Sequence, residues 1–397
     1  MANNPLRILL AINGTDFGGT ESALAEIARQ LDGRGHSVDV LSLKTPGRTG
    51  QRLISEGIRV HTLGMAEVVD PWNMLVATRR FAGWLRQHPV DVVQSFLPRA
   101  NVISRVANRL ARGRRGHLSS ERSTDFNRSP RVCQLNRWTA RWTDRILAIS
   151  PTVRQVLLDR DRLPMEKIHL LENGIDTARV DAFPKTELRR ELGLDDEALL
   201  FVTVGRLIPD KGFVYLAQAL ARMEHRDRVH LALVGEGDEG ETIAVEVERL
   251  GLSDRFHRVG FRKDVLGILK DVDGFVLSSL EEGIPVVLVE AMANGVPIVS
   301  TRVGGIPDLV VEDETALLVP PAELWHGAPE DRTSEATREA GVEGLASALD
   351  RLVAEPELRQ RLGAAGRRRI EEVFELERVI DRLEEHYRAV MPGATER

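Results

Sequence analysis

Residues 201–212 read Phe-Val-Thr-Val-Gly-Arg-Leu-Ile-Pro-Asp-Lys-Gly. An apolar, β-branched run that stops at Gly205 and gives way to a polar turn reads as a buried strand, a loop and the start of a helix. Strands covered on both faces read as continuous apolar runs, which is the pattern of a parallel sheet. Leu199–Val204 has companions of the same kind at Val229–Val234, 275–277 and 297–300, with helical segments between them. Earlier in the chain, the apolar runs 6–13, 37–43, 90–95 and 144–149 alternate with amphipathic stretches at 20–30, 72–87 and 100–111. The β-α-β-α order therefore runs twice. It predicts an α/β chain of two doubly wound domains with parallel sheets, whose ligands bind outside the carboxyl ends of the strands.

Composition fits that reading and excludes others. The 397 residues suit two or three domains at roughly 150 residues each. Acids outnumber bases 60 to 54, so a net charge of −6 argues against a nucleic-acid partner. A 42% apolar content supplies a core and excludes a largely disordered chain. A single cysteine, Cys133, excludes an internal disulfide framework and a cysteine-rich zinc site. The first residues read as a strand rather than a signal peptide, and no run approaches the roughly 18 apolar residues of a membrane span. A cytoplasmic location follows. The turn-rich Glu172-Asn-Gly-Ile-Asp176 and the polar 181–190 put the boundary near 180, giving domains 1–178 and 179–374. Within the second, 320–341 reads as a mobile excursion, and a last helix covers about 375–390 of the terminal segment 375–397.

Two motifs invite other readings. Gly235-Glu-Gly-Asp-Glu-Gly240 matches a dinucleotide fingerprint, but Glu236, Asp238 and Glu239 would face a pyrophosphate, and no acid ends the following strand. It reads better as a tight turn. Asp271-Val-Asp273 resembles a metal-holding carboxylate pair, yet it precedes its strand and so lies at the wrong edge. The histidines are scattered and form no His-Glu-x-x-His, so no protein-held metal is expected.

Three segments carry chemistry. Arg206 and Lys211 leave one loop between a strand and a helix, where two cations suit a diphosphate. In Ser278-Ser-Leu-Glu-Glu-Gly-Ile-Pro-Val-Val-Leu-Val-Glu-Ala-Met-Ala293, a strand ends near Ser278 and Gly283 permits a turn. Pro285 suits a first helical turn, and Glu282 and Glu290 can then serve neighbouring parts of one extended ligand. Gly18-Gly-Thr-Glu21 follows the first strand; its glycines allow close approach of a ligand and Thr20 is placed to cap a helix, although a plain turn would read the same.

Taken in order, GGTE, NGID, VGRL-x4-KG and E-x7-E with EAMANGVPIVST-x-VGGIPD resemble the retaining glycosyltransferases of family 4 over about residues 6 to 390. The resemblance implies the GT-B fold: two Rossmann-like domains facing a cleft, with the C-terminal helix crossing back to the first. It implies a nucleoside-diphosphate sugar as co-substrate, no cofactor and no metal. Arg206 and Lys211 would hold the diphosphate, Glu290 the ribose and Glu282 the donor sugar, with Gly205, Gly283, Ile284 and Pro285 shaping the site. Gly18 and Gly19 would close over the diphosphate, and Phe261 and Arg262 would lie by the base. Where relatives carry acceptor-side histidines, this chain has Asp91-Val-Val-Gln-Ser-Phe96 and Ser119-Ser-Glu-Arg-Ser123, leaving Arg99, Glu121 and Arg122 as acceptor-side candidates. The expected reaction moves a hexose-type unit to an acceptor hydroxyl in polysaccharide or glycolipid assembly. A nucleotide-sugar 2-epimerase of the same fold, or a degenerate donor-binding subunit, are the alternatives.

The acceptor could be a glycan, lipid-linked or a small molecule. Between Arg99 and Arg145 stand twelve arginines, no lysine and three acids, a balance of +9 in a chain of −6. Trp138 and Trp142 sit four apart in the same segment with Leu135 close by. Core tryptophans beside solvated arginines would read alike. The functional reading is a face that docks on anionic lipid at the inner membrane surface.

Overall fold

The computed structural model describes residues 4–16, 18–66, 70–113, 115–122, 130–195, 197–319 and 335–391. The chain forms two compact units, 1–174 with 376–397 and 175–375. The change of unit falls after Gly174, inside the Asn-Gly-Ile-Asp turn and a few residues before the polar stretch that suggested it.

In unit 1, strands β1 (Arg7–Ile12), β2 (Ser37–Ser42), β3 (Arg59–Thr62), β4 (Val92–Phe96), β5 (Gly116–Glu121), β6 (Arg145–Ala148) and β7 (Ile168–Leu170) form a parallel sheet. Its order is β3-β2-β1-β4-β5-β6-β7, so the direction of winding reverses between β1 and β4. Unit 2 repeats the scheme with β8 (Leu199–Val204), β9 (Val229–Val234), β10 (Phe256–Gly260), β11 (Gly274–Leu277), β12 (Ile298–Thr301) and β13 (Leu317–Val319). These are parallel too, in the order β10-β9-β8-β11-β12-β13, reversing between β8 and β11.

Two-residue alternation explains how β1 serves two cores. Ile8, Leu10 and Ile12 pack with Leu24, Ile27 and Leu31 of the helix Gly19–Gly33. Leu9 and Ala11 pack on the other face with Phe81 and Leu85 of Pro71–Gln87 and Ile103 of Pro98–Leu110. Helix starts follow local chemistry: Pro71, Pro98, Pro130, Pro151 and Pro356 each occupy a first helical position, where a missing N–H costs nothing. The 19–33 helix departs from expectation, because Gly18 is its N-cap without a side-chain bond and Thr20 lies inside the first turn. A second departure concerns the excursion at 320–341. Residues 320–334 lie outside the described residues, but 335–341 already belong to the helix Glu335–Ala354.

The last helix, Leu376–Ala389, puts Leu376, Val379, Ile380, Leu383 and Tyr387 into the core of unit 1. Its polar contacts lock the register. Arg34 Nη1 donates to Asp381 at 2.5 Å and Glu384 at 3.1 Å, and the Tyr387 hydroxyl donates to Gln94 Oε1. Because Leu383 is fully buried, Leu383→Ala should destabilise unit 1 by about 2–5 kcal/mol. Exposed Glu385→Ala on the same helix should stay within about 0.5 kcal/mol of wild type. Urea unfolding compares them, and equal midpoints would show that the helix does not hold the core.

Candidate active site

Residues from the loops after β8 and β11 meet where unit 2's strand order reverses. Gly205 follows β8, and the loop runs through Arg206 to Lys211 before the helix Phe213–Arg222. The β11 loop runs from Ser278 to Pro285 and enters the helix Val286–Ala293. Backbone contacts lace the two loops together. Leu280 N–H donates to the Asp210 carbonyl at 2.7 Å, and the Ser278 hydroxyl to the Lys211 carbonyl at 2.9 Å. At Gly212, φ is +63° and a Cβ would stand 2.3 Å from the Ser278 carbonyl oxygen, so only glycine fits.

This lacing brings Lys211 and Glu282 into contact. Lys211 Nζ donates to Glu282 Oε1 at 2.5 Å, and the Ser279 hydroxyl donates to the same oxygen at 2.7 Å. Lys211 is therefore half-buried and paired. Arg206 is exposed, and its guanidinium has no hydrogen bond or ion pair among the described residues. Pro285 is the N-cap with φ −70° and ψ 123°, one position earlier than expected. Gly283 has no positive φ; the tight approach belongs to Gly304, where φ is +52° and a Cβ would lie 1.7 Å from the Glu282 carbonyl oxygen. Ile284 is buried beneath the turn.

Glu290 sits in the second turn of the 286–293 helix, and its carboxylate finds no hydrogen-bond partner among the described residues. Burial pushes its carboxyl up to about 7, with Arg179 opposing the shift. Phe261 and Arg262 follow β10. The Arg262 guanidinium is committed to Glu191 at 2.6 Å and Asp264 at 2.7 Å, and its pKa is raised by those bonds, so this side chain is not open to a ligand.

The misleading motifs resolve physically. Gly235, at φ +147°, would place a Cβ 1.8 Å from the Gly205 carbonyl oxygen; the glycines of 235–240 make room for the loop that carries Arg206. Asp273 accepts from Leu200 N–H at 2.8 Å and Arg189 at 2.6 Å, and Asp271 pairs with Lys185 at 3.0 Å. These carboxylates anchor the amino edge of the sheet.

In unit 1, Gly18 and Gly19 begin the helix after β1, and Arg99 stands in the first turn after β4, both at that unit's reversal point. Glu121 and Arg122 cannot share a site. Neighbouring residues on an extended strand point to opposite faces. Glu121 is buried against Asn101, whose Nδ2 donates to it at 3.0 Å, with Arg105 at 3.8 Å. Arg122 turns the other way, into a pocket beside the 19–33 helix. Glu121 is thus a buried structural acid rather than an acceptor-side group. Asn173, which receives a hydrogen bond from Arg122, was not singled out from the sequence; its place in the Asn-Gly turn was the only signal.

Comparison with known proteins gives a consistent picture. Residues 17–179 match the family described as Glycosyltransferase Family 4, and residues 184–327 match Glycosyl transferases group 1. The chain is 25% identical to N-acetyl-alpha-D-glucosaminyl L-malate synthase of Bacillus anthracis, over 94% of each protein. It is 30% identical to alpha-maltose-1-phosphate synthase of Mycolicibacterium smegmatis, over 65% of this chain and 67% of that one. Anabaena HepE, crystallised with UDP and glucose, superposes with a TM-score of 0.80 at 20% identity, over 96% of this chain and 98% of that one. A glycosyltransferase from Rickettsia africae gives 0.81 at 19%, over 98% and 99%.

The Glu290 shift has a thermodynamic consequence. Between about pH 4.5 and 7 the folded state keeps a proton here that the unfolded chain has lost, so stability falls as pH rises through that window and is level above it. Glu290→Gln should remove this contribution and raise the melting temperature relative to wild type at pH 8 more than at pH 5. Parallel melting profiles for the two proteins over pH 5–8 would contradict the buried, protonated carboxyl.

Proposed function

The chain belongs to the group 1 and family 4 glycosyltransferases, and we propose that it is a retaining enzyme that transfers a hexose-type unit from a nucleoside-diphosphate sugar to an acceptor hydroxyl in glycoconjugate assembly. The observation that carries this reading is the arrangement at the β8/β11 reversal point: an Arg206 guanidinium unpartnered among the described residues, on the same loop as Lys211 of the Lys211–Glu282 pair. Cations there suit a diphosphate, and a carboxylate held by two donors suits sugar hydroxyls. The crystallisation of HepE with UDP and glucose supports a nucleotide-linked donor by fold analogy.

In the proposed reaction the bond from the anomeric carbon to the diphosphate oxygen breaks while the acceptor oxygen bonds on the same face. The departing phosphate takes the acceptor proton, so no histidine base is required. Arg206 and Lys211 neutralise charge growing on the leaving group, and Glu282 favours the cationic sugar. Glu290, lacking a donor of its own, accepts from the ribose hydroxyls. Neither a cofactor nor a metal enters this scheme.

Arg206→Ala is the clean test, because the side chain has no partner among the described residues to strand. It should lower kcat roughly 100- to 1,000-fold with an unchanged melting temperature. Lys211→Ala should lose activity and some stability, since Glu282 then lacks its counter-charge. Transfer should continue in excess chelator, and NMR of the product should show the donor's anomeric configuration kept. An inverted product, or full activity in Arg206→Ala, would overturn the mechanism.

We extend the reading to location. No described helix is long and apolar enough to cross a membrane. The membrane-facing arginines are fewer than the sequence count suggests: Arg105 is buried, Arg115 is bonded to the Leu85 carbonyl, and Arg114 lies outside the described residues. The helix Pro130–Ala140 nevertheless exposes Val132, Leu135 and Trp138, flanked by exposed Arg131, Arg137 and Arg141. Trp142 lies beyond its end, edge-on to Trp138 at 4.5 Å, with the Arg141 guanidinium over both rings. This amphipathic face suits the inner surface of an anionic membrane, each cation contributing roughly 1 kcal/mol. Binding to liposomes should rise with anionic lipid, fall with salt, and weaken when Trp138 becomes Ala or Arg131, Arg137 and Arg141 become Ser. Absence of co-sedimentation at low salt would sink the idea.

A further inference from the structure

Unit 1 contains a charged group that the donor chemistry does not use. Arg122, just past β5, donates to Asn173 Oδ1, and its guanidinium lies 5.9 Å from the centre of the Phe96 ring. It forms no ion pair among the described residues, and the only carboxylate acting on it electrostatically is Glu21. Burial pulls its pKa down to about 10, which still leaves it charged at neutral pH. A guanidinium offers five N–H donors in a planar fork matched to an oxyanion, and one neutral amide oxygen does not satisfy it. The pocket around it has Gln94, Ser120, Asn173 and Glu172 as polar neighbours, the Glu172 carboxylate being paired with Arg382 at 2.7 Å, and Ile27, Leu147 and Leu376 as apolar walls. Arg99 leaves the carboxyl edge of the adjacent strand β4; burial lowers its pKa too, and it likewise has no ion pair among the described residues.

A half-buried cation whose only hydrogen-bond partner among the described residues is a neutral amide is costly to hold, and the cost is recovered when an anion arrives. We propose that Arg122 anchors an oxyanion subsite in unit 1, so that the acceptor is an alcohol bearing a carboxylate or phosphate group. The apolar walls then contact the carbon skeleton of that acceptor. Arg99 adds positive potential at the same sheet edge, and Glu21 weakens the site until the anion binds. The inference rests on the transferase reading for the word acceptor, but the anion site can be tested alone.

Inorganic phosphate and succinate are titrated separately into the full chain, followed by NMR of the arginine Nε–Hε groups. The resonance missing from Arg122→Gln identifies Arg122, which separates this site from the Arg206 and Lys211 loop. The Arg122 resonance should shift saturably with at least one of the two probes, and which one does so distinguishes phosphate from carboxylate. Glu21→Gln should tighten that binding severalfold, a change that loss of folding cannot mimic. In transfer assays, Arg122→Gln should raise KM for an anionic acceptor at least tenfold, with Arg122→Lys in between and nucleoside-diphosphate affinity unchanged. If both probes move only other arginines, or if the acceptor's neutral methyl ester has the same KM as its acid, the subsite does not exist. If the anion binds at Arg122 but no hydroxyl compound receives sugar, the subsite stands and the transferase substrate reading fails instead.

Discussion

A lysine and a glutamate 2.5 Å apart, Lys211 and Glu282, join the loops that follow β8 and β11. They meet at the one strand pair in unit 2 where the winding direction reverses, so the loops on either side diverge and leave an opening. The pair does not stand alone. Ser279 fixes the same carboxylate oxygen, Ser278 ties its own loop to the Lys211 carbonyl, and Gly304 lets its segment pass against the Glu282 backbone. Each contact restricts the carboxylate further, and a partly buried ion pair is worth holding only where such extra bonds satisfy it. The consequence is orientation: a side chain at a loop tip is held as firmly as one on a strand.

The same logic places Arg206, by a different means. Its loop runs against the segment after β9, with Leu207 N–H bonded to the Glu236 carbonyl at 3.0 Å and Glu239 N–H to the Leu207 carbonyl at 2.9 Å. That approach requires residues without Cβ atoms at 235 and 237. A glycine pattern that resembles a nucleotide fingerprint in sequence is thus a backbone seat for a neighbouring loop. Its three acids do no harm there, because no phosphate lies against them in this assignment.

What was legible in the sequence follows from what is local. β8 and β9 coincide with their apolar runs because each is bounded by polar or turn residues and covered on both faces. β5, Gly-His-Leu-Ser-Ser-Glu, is buried along its whole length yet has one large apolar residue, so no hydropathy pattern reveals it. Its polar atoms are satisfied from distant elements: Arg105 donates to Ser119 at 2.8 Å, Ser104 and Thr143 flank the His117 ring, and Gln94 donates to Ser120. Those partners are 13 to 26 residues away. The same blindness made Glu121 and Arg122 look alike as acceptor-side groups, although strand alternation alone separates them once β5 is recognised. The membership of the last helix in unit 1 was expected from family resemblance and from nothing in its own amphipathic pattern, which would suit either unit.

Glu282 and Glu290 show why residue type and spacing understate a site. Eight residues apart and chemically identical, they sit in opposite electrostatic conditions. Glu282 has an ammonium and a hydroxyl; Glu290 has desolvation, which pushes its carboxyl up to about 7 against the opposing charge of Arg179. Arg122 is the cationic counterpart in unit 1, half-buried beside a neutral amide. Folding would be easier if each of these groups were paired within its own unit. Holding them unpaired stores free energy that a ligand of complementary polarity releases on binding. A nucleotide ribose can supply donors to Glu290, and an oxyanion can supply acceptors to Arg122. The unsatisfied groups, more than the satisfied ones, therefore carry the ligand assignments proposed above.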